Sequence, residues 1–373
     1  MSATSSGSIE FLPTVHRIHH GEGVLAKALA QEVEAAGARQ PRAVLSHALQ
    51  GTDVARVCAR VAGEEGLFFG RFEHVPPDAV LEVAAWLEAS GADLVIVVGG
   101  GSAIDTAKAA RFALAARLEA PSDLLPAMAR PTPAGPWLPQ IAVPTTLSGA
   151  EYTRSFSATD LAERNKRSHV ATACASSAIV YDPLATVHTP AALWLGSGFV
   201  ALDHALEVFV TSAPHPVADA LKSQAAATLW RELPGSTAAD ALATRLACQL
   251  AGWMVDHSPL RTRASGGSGQ PWSHLLAYEL AAMAGCGYAD TALLTLASSL
   301  RLLARDPRCA ARQRDLAQRL GVDGPLADGV ERFAARLGLA APRVSTGRLR
   351  EVAAICAART GTDEASCREV LGL

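Results

Sequence analysis

The chain has 373 residues, of which 49% are hydrophobic and 18% are charged. That length is large for one domain, and the composition is sufficient to form a sizeable core, which argues against disorder. The formal net charge is only -3, and Lys/Arg-rich blocks interleaved with aromatic residues do not occur, so nucleic acid and anionic membrane surfaces are excluded as favoured partners.

The first half of the sequence alternates short apolar runs with helical stretches. Helices are predicted at 53–64, at 77–89 and from Ser102 onwards. Alternation of strands and helices of these lengths indicates βαβ units and a parallel sheet. The apolar runs predicted as its strands are 43–46, 67–69, 94–101, 141–146 and 178–183.

The second half has a different texture. From Pro190 to the end almost every segment is rich in Ala and Leu at helical spacing. We therefore predict a domain boundary near residue 185. The predicted fold class is α/β, with a parallel-sheet domain over 1–185 followed by an all-helical domain over 186–373.

The cysteines and the amino terminus predict a cytoplasmic protein. The seven cysteines are scattered and form no C-x-x-C pair, which suits a reducing compartment better than a disulfide framework. The start, MSATSSGSIEF, lacks the charged-then-apolar order of a signal peptide. We also expect no membrane span, because no apolar run approaches the required length.

The most informative stretch is VVGGGSAIDTAKAA, residues 97–110. Three glycines at the end of a strand let the backbone approach a ligand closely. Ser102 is predicted to cap the following helix, whose amino-terminal N–H groups then face an anion. The stretch indicates a pyrophosphate site, although GGGS is neither the Rossmann nor the Walker pattern. The alternative is a tight strand-to-helix turn that needs glycine for its geometry alone.

Four segments carry a resemblance to a known family. Residues 99–108 match G-G-G-S-x-x-D-x-x-K, the hallmark of iron-containing alcohol dehydrogenases, and PTTLSGAEYT (144–153) has the spacing of the P-T-T-x-x-G-x-E of maleylacetate reductases. Residues 180–190 and 196–209 resemble the family's entry to its helical domain and its metal-site helix. Up to about residue 300 the chain resembles a divergent member of this family, which has the dehydroquinate synthase-like fold.

The resemblance implies a Rossmann-like nucleotide-binding domain and a helical domain, with cofactor and substrate in the cleft between them. The glycines and Ser102 would hold the pyrophosphate of NAD or NADP, and the PTT segment would line the nicotinamide and ribose. An alternative interpretation of Asp105 is an ordinary acid in the first turn of the helix, where the helix dipole favours negative charge. The implied cofactor-binding residues are Gly99, Gly100, Gly101, Ser102, Asp105, Lys108, Thr145, Thr146, Leu147 and Ser148.

The choice between NAD and NADP stays open in the sequence. Relatives often carry an acid after the first strand, which accepts the ribose hydroxyls and rejects a 2′-phosphate. Here that region reads SHALQ (46–50) and has no acid. His47 either meets a 2′-phosphate or is a surface histidine.

The family's metal site is mostly missing. Metal-dependent members bind the ion through an aspartate, a histidine four residues later and two further histidines, and these positions fall on Val200, His204, His274 and Tyr288. A catalytic divalent metal needs about three protein ligands, and valine cannot ligate. Asp203 cannot replace the aspartate, because consecutive helix residues point about a hundred degrees apart. We therefore predict that no metal is bound.

Without a metal, hydrogen-bond donors must stabilise the oxyanion that forms on a hydride acceptor. Tyr278 falls where the family has another histidine near the substrate, one helical turn after His274. We predict that His204, His274, Tyr278 and Tyr288 form this catalytic cluster; the alternative is that they only fill space. Four nearby acids are interpreted as mostly solvated or capping residues, namely Glu151, Glu207, Glu279 and Asp290.

Two functions are consistent with these residues. The first is a metal-independent NAD(P)H-dependent oxidoreductase that reduces a small activated carbonyl or enone, as maleylacetate reductases do. The second is a non-redox cyclase, lyase or isomerase of a specialised biosynthetic pathway. The basic pair in ERNKRSHV (163–170) either meets an acidic substrate or is an exposed loop. The expected partner is a small-molecule substrate, and the resemblance implies a homodimer.

Overall fold

A computed structural model describes residues 17–256, 271–284 and 287–373. The strands are β1 (Arg17–His20), β2 (Pro41–Ser46), β3 (Leu67–Gly70), β4 (Leu94–Gly99), β5 (Gln140–Pro144), β6 (Ser155–Asp160), β7 (Asn165–Val170) and β8 (Ala178–Tyr181). The helices of the first half are α1 (Leu25–Ala36), α2 (Asp53–Ala62), α3 (Pro77–Ala89), α4 (Gly101–Ala116) and α5 (Leu124–Met128). Those of the second half are α6 (Ala191–Thr211), α7 (Pro216–Glu232), α8 (Leu242–Asp256), α9 (Trp272–Ala284), α10 (Tyr288–Leu303), α11 (Pro307–Leu320), α12 (Leu326–Arg336), α13 (Thr346–Thr360) and α14 (Glu364–Val370).

Six strands form one parallel sheet in the order β1-β8-β5-β4-β2-β3. The predicted alternation of strands and helices is thus confirmed, and every residue of β4 is buried. Alternate residues of β4 point to opposite faces: Val95 and Val97 pack with α3 and α4, whereas Ile96 and Val98 pack with α1 and α2. An unbroken apolar run is required because both faces are covered.

The strand order creates a crevice between β2 and β4. From β2 the chain passes through α2 to β3 on one side, whereas from β4 it passes through α4 to β5 on the other. In open α/β sheets, ligands bind outside the carboxyl ends of the strands where the connections diverge in this way. The residues at those two ends are Ser46 and Gly99.

A second sheet consists of β6 and β7, which pair antiparallel from Ser155↔Val170 to Asp160↔Asn165. The sequence interpretation of 163–170 as a basic turn or exposed loop did not anticipate this hairpin. Asp160 shapes its connection, because Oδ1 accepts hydrogen bonds from the N–H groups of Ala162 and Glu163. The hairpin places polar and basic residues of β7 against α9.

All described elements from Ala191 onwards are helices or helical turns. The 21-residue α6 is long and apolar enough to cross a membrane by length and composition alone, which the sequence reading had not expected. The most apolar stretch of this helix is 78% buried inside the protein. Helix α6 is therefore the core helix of this half. The two halves meet at the segment after β5, where Ser197 Oγ of α6 accepts from Leu147 N at 3.0 Å.

Candidate cofactor and active site

The glycine loop, Gly99 to Ser102, connects β4 to α4. Gly100 is the N-cap residue and Gly101 is the first helical residue, so the prediction that Ser102 caps the helix is wrong. Ser102 lies within the first turn, and within the described chain no side-chain hydrogen bond caps α4 from the N-cap position. The positive end of the helix dipole therefore faces the crevice without a protein side chain at the cap, which favours an anion.

Two glycines of this loop, Gly99 and Gly101, leave no room for a Cβ unless a neighbouring side chain shifts. A Cβ on Gly99 would lie 2.3 Å from Ser46 Oγ, and a Cβ on Gly101 would lie 2.4 Å from Ser148 Oγ. The end of β2 and the segment after β5 therefore both approach the loop backbone closely. A nucleotide pyrophosphate fits this arrangement, because a bare backbone and a helix amino terminus are what such a group requires.

The PTT segment (144–148) lies beside the glycine loop. Thr145 N donates to Gly99 O at 2.9 Å, and Thr146 Oγ1 donates to Ser148 Oγ at 3.3 Å. Thr145, Thr146 and Ser148 are thus brought together with the glycines, as the resemblance implied. Leu147 differs, because its side chain packs in the hydrophobic core of the helical half.

Lys108 has a different position from the one expected of a cofactor ligand. It is fully buried, and Nζ donates to the carbonyl oxygens of Ala150, Thr153 and Ser155 and to Thr153 Oγ1, at 2.5–3.0 Å. Burial lowers the pKa of this amine. Lys108 therefore fixes the loop after the PTT segment against α4, and its effect on a cofactor would be through that loop.

Asp105 lies one turn before Lys108 on α4. Oδ2 accepts from Ser157 N of the hairpin at 3.1 Å, and Oδ1 lies 3.9 Å from Lys108 Nζ. Oδ1 is buried and has no hydrogen-bond partner among the described residues. Burial raises the pKa of this carboxyl, and the Lys108 charge opposes the shift.

The interpretation of Glu151 as a solvated acid is wrong. Glu151 is 2% exposed, and Oε1 accepts from the Tyr181 hydroxyl at 3.0 Å. Burial raises the pKa of Glu151 to about 7. Glu279 is also buried, next to Tyr278, and is paired with Arg359 at 3.2 Å. Sequence reasoning missed both because their burial depends on packing between distant segments.

His204 of α6 and His274 of α9 form a histidine pair. Nε2 of His204 and Nδ1 of His274 are 3.2 Å apart, and the ring planes are inclined by 70°. Burial lowers the pKa of His204 to about 4, so its imidazole is neutral at neutral pH. A contact between two ring nitrogens at this distance uses one donor and one acceptor.

The described residues around this pair do not fit a catalytic divalent metal. Val200, one turn before His204, is apolar and 3% exposed. Within residues 17–256, 271–284 and 287–373, three or more His, Cys, Asp or Glu side chains do not come together as a metal site would require. Tyr288 begins α10, and its side chain lies outside the described part of the structure.

Tyr278, one turn after His274, is bound to the hairpin. Its hydroxyl accepts from Ser168 Oγ at 3.2 Å, and Lys166 Nζ lies 4.5 Å from the centre of its ring. Burial raises the pKa of Tyr278, which stays a neutral phenol. The predicted cluster is thus a histidine pair with a tyrosine one helical turn further along α9.

Lys166 is a site residue that the sequence reading left unassigned. It is half-buried beside the Tyr278 ring, and burial lowers its pKa to about 8, against the opposing charges of Asp105 and Glu279. It therefore lies between the acid of α4 and the tyrosine of α9. The only signal in the sequence was the basic pair of 163–170.

A buried pair of acids holds α9 in place. Glu207 accepts from Ser273 N at 2.8 Å, from Ser299 Oγ at 2.5 Å and from His274 N at 3.1 Å, so it caps α9 from another helix, a role that the sequence interpretation did not assign to it. Asp203 accepts from Ser273 Oγ at 2.9 Å, so it points away from the position of a metal aspartate. Burial raises the pKa of both acids, that of Glu207 to about 7.

The chain is similar in sequence to known dehydrogenases and reductases. The model of the family "iron-containing alcohol dehydrogenase" matches residues 15–183. The dehydrogenase FUM7 of Gibberella moniliformis is 35% identical over 175 residues, 43% of this chain and 40% of its own length. Maleylacetate reductase 1 of Cupriavidus pinatubonensis is 30% identical over 220 residues, 58% of this chain and 54% of its own. The chain thus spans about half the length of these curated relatives.

The likeness of fold extends over the whole chain. The structure of sulfoacetaldehyde reductase from Bifidobacterium kashiwanohense, solved with NAD+, superposes with a TM-score of 0.80 over 98% of each chain, at 19% identity. The parallel sheet, the glycine loop and the helical half define an α/β protein whose second half is helical. Residues 15–183 therefore resemble the iron-containing alcohol dehydrogenase family, and the likeness to maleylacetate reductase 1 points to the same family.

Proposed function

We propose that this protein is an NAD(P)H-dependent reductase of a small activated carbonyl or enone, and that it works without a metal. The observation that carries the proposal is the contact between His274 and the neutral His204, in a site where Val200 takes the place of a metal ligand. The likeness to maleylacetate reductase supports an activated, electron-poor substrate.

The glycine loop, Thr145, Thr146 and Ser148 would hold the cofactor, with the pyrophosphate at the amino terminus of α4. NAD(P)H, when bound, supplies the hydride. Leu147 and Lys108 act indirectly, because Leu147 belongs to the helical core and Lys108 fixes the loop that follows. The cofactor side of the site is therefore built mainly from backbone and small side chains.

The helical side supplies the donors. Negative charge develops on the substrate oxygen as the carbonyl is reduced, and positioned donors stabilise that charge. Tyr278 is suited to this because Ser168 Oγ donates to the phenol oxygen, which leaves the phenol hydrogen for another acceptor. Burial keeps the His204 imidazole neutral, and its contact with His274 places two imidazoles, groups suited to proton transfer, on this side of the site.

The test is a titration of purified, chelator-dialysed protein with NADH and NADPH, followed by nicotinamide fluorescence. Saturable binding at micromolar levels is expected for at least one of them. Reduction of small electron-poor enones and aldehydes is then assayed with and without chelator, and we expect equal rates. Loss of activity that one divalent metal restores would refute metal independence, and absence of binding would make the non-redox enzyme the better hypothesis.

We also infer a cytoplasmic location and a homodimer. The cysteines among the described residues support a reducing compartment, because all are buried free thiols, namely Cys58, Cys174, Cys248, Cys309, Cys356 and Cys367. Cell fractionation and sedimentation of the purified protein test the two points. A secreted pool or a monomer at micromolar concentration would contradict them.

A further inference from the structure

A cavity of about 500 Å³ lies in the helical half, between the carboxyl end of α7 and the connection from α11 to α12. Its walls include Trp230 of α7, Val322 and Asp323 of the connection, and Arg332 and Arg336 of α12. These elements are distinct from α4, α6 and α9, which carry the glycine loop and the histidine pair. The volume falls within the range of small-molecule sites, roughly 300–1,000 Å³.

Packing behind the cavity holds its walls in place. The Trp230 ring stacks on the buried Phe333 ring, with centroids 4.2 Å apart and planes inclined by 12°. The guanidinium carbon of Arg336 lies 5.0 Å from the centre of the same Phe333 ring. A Cβ on Gly329 would lie 2.4 Å from Val322 Cγ1, so the connection lies directly on α12. Trp230 and Val322 are only partly buried and therefore offer apolar surface to an occupant.

The charge of the cavity comes from two arginines one helical turn apart. Arg332 and Arg336 are both exposed, and residues spaced i, i+4 lie on one face of a helix. Within the described chain their hydrogen bonds go to backbone carbonyls, from Arg332 Nη2 to Asp323 O at 3.0 Å and from Arg336 Nη2 to Trp230 O at 3.3 Å. Like charges at this spacing repel each other, so an anion bound by both would be stabilised.

The acids of α12 are paired with another arginine. Arg301 of α10 donates to Asp328 at 2.8 Å and to Glu331 at 2.7 Å. The remaining acid, Asp323, lines the cavity with its side chain exposed, so two positive charges there face one negative charge. A guanidinium has five N–H donors, and the contacts to backbone carbonyls leave donors on both arginines for a ligand.

We propose that this cavity is a binding site for a small aromatic carboxylate. Its carboxylate lies against Arg332 and Arg336, because a guanidinium binds a carboxylate through two parallel hydrogen bonds. Its ring lies against Trp230 and Val322, where apolar surface is removed from water on binding. The proposal goes beyond the proposed function and does not depend on it, since the two sites use different elements.

Calorimetric titration of the purified protein with benzoate, benzyl alcohol and acetate tests the proposal. Benzyl alcohol keeps the ring without the charge, and acetate keeps the charge without the ring. We expect saturable binding of benzoate at one site per chain, at least about tenfold tighter than that of either control ligand. Repetition with saturating NADPH should give the same benzoate affinity.

Three variants locate the site. Arg332→Gln should lower benzoate affinity by about tenfold, because it removes a charged hydrogen-bond donor. Asp323→Asn removes the opposing charge and keeps the backbone carbonyl that accepts from Arg332, so it should raise the affinity a few-fold. Arg314, an exposed arginine of α11 outside the lining, provides the matched control, and Arg314→Gln should leave the affinity unchanged.

The proposal is overturned by absence of benzoate binding at millimolar concentration, by equal affinity for benzoate and benzyl alcohol, or by wild-type affinity in both Arg332→Gln and Asp323→Asn. Competition between benzoate and NADPH would place benzoate in the candidate active site and would also overturn it. Melting curves identify a variant that fails to fold, and Asp323→Asn tests the same charge by a gain of affinity. Failure to bind NADPH contradicts only the proposed function.

Discussion

The two sides of the candidate site are built in different ways. The cofactor side consists of backbone and small residues that neighbouring segments approach so closely that a Cβ on Gly99 or Gly101 would meet another side chain within 2.4 Å. The helical side consists of side chains on α6, α9 and the hairpin, where Val200 and Tyr278 depart from the family pattern. On the cofactor side, these close contacts leave little room for any residue other than glycine at positions 99 and 101.

On the second side, the side chains that face the site stand on the packed helical core. Phe199, Val200, Leu202 and Leu206 of α6 all belong to that core. The difference predicts that nucleotide binding and turnover depend on different sides of the candidate site. Substitutions on the cofactor side should therefore affect binding, and those on the helical side should affect turnover.

The largest expected effect is that of Gly99→Val. A β-branched side chain at this position must displace Ser46 Oγ, at 2.3 Å, and the Ala103 Cβ, at 2.7 Å. We expect dinucleotide affinity to fall by more than about a hundredfold, or roughly 3 kcal/mol, measured by fluorescence titration. Gly347→Ala is the control, because Gly347 is an exposed residue of α13 with space for a Cβ. Unchanged affinity in Gly99→Val would show that the loop does not hold the nucleotide.

Tyr278→Phe tests the helical side. The phenol hydrogen is lost but the ring keeps its place beside Lys166, so turnover should fall roughly a hundredfold while cofactor affinity stays the same. Steady-state rates and a cofactor titration of the same preparation measure the two quantities. Ser168→Ala removes the hydrogen bond to the phenol oxygen and should cost only a few-fold. Wild-type turnover in Tyr278→Phe would remove Tyr278 from the mechanism.

The sequence predicts the cofactor side of the candidate site better than the helical side. The helix at 77–89 and the strands of the parallel sheet were predicted from local sequence patterns. An unbroken apolar run such as 94–99 is typical of a strand that is buried on both faces. The hairpin did not follow, since NKRSHV has no apolar alternation and its partner strand determines its conformation. The histidines and tyrosines of the candidate site were predicted from the resemblance to the family, not from the periodicity of the sequence.

The sequence did not predict which polar residues are buried or which partners they bind. Lys108 belongs to a cofactor motif, yet its ammonium group is enclosed by loop carbonyls. Asp203 and Glu207 lie four residues apart among Leu202, Ala205 and Leu206 on an apolar helix, and that spacing was the available signal. Their partners come from α9 and α10, so only the tertiary packing identifies Glu207 as the residue that positions His274.

Glu207→Gln should have an intermediate effect on the helical side. The carboxylate accepts hydrogen bonds from two backbone N–H groups of α9 and from Ser299, and an amide nitrogen cannot accept. Loosening of the α9 amino terminus should lower kcat about tenfold and the free energy of unfolding by about 1–3 kcal/mol. Glu207→Asp, which keeps the charge, should recover part of both. A loss of stability with wild-type kcat would show that Glu207 is structural only.

The smallest expected effect lies behind the cofactor side, in Glu151. Its pKa is raised to about 7 by burial, above the unfolded value of 4.5, so the folded state keeps a proton that the unfolded state has released. The resulting contribution to the free energy of unfolding is fully present below pH 4.5 and is lost as the pH rises towards 7.

Glu151→Gln removes that titration and can still accept the hydrogen bond of Tyr181 through its amide oxygen. The variant should therefore gain stability relative to the wild type as the pH rises, by about 1 kcal/mol between pH 5.5 and 6.5. Denaturant unfolding at several pH values measures the difference. Parallel pH profiles for the two proteins would mean that Glu151 releases its proton in the folded state as readily as in the unfolded chain, and that Lys108 compensates the buried charge.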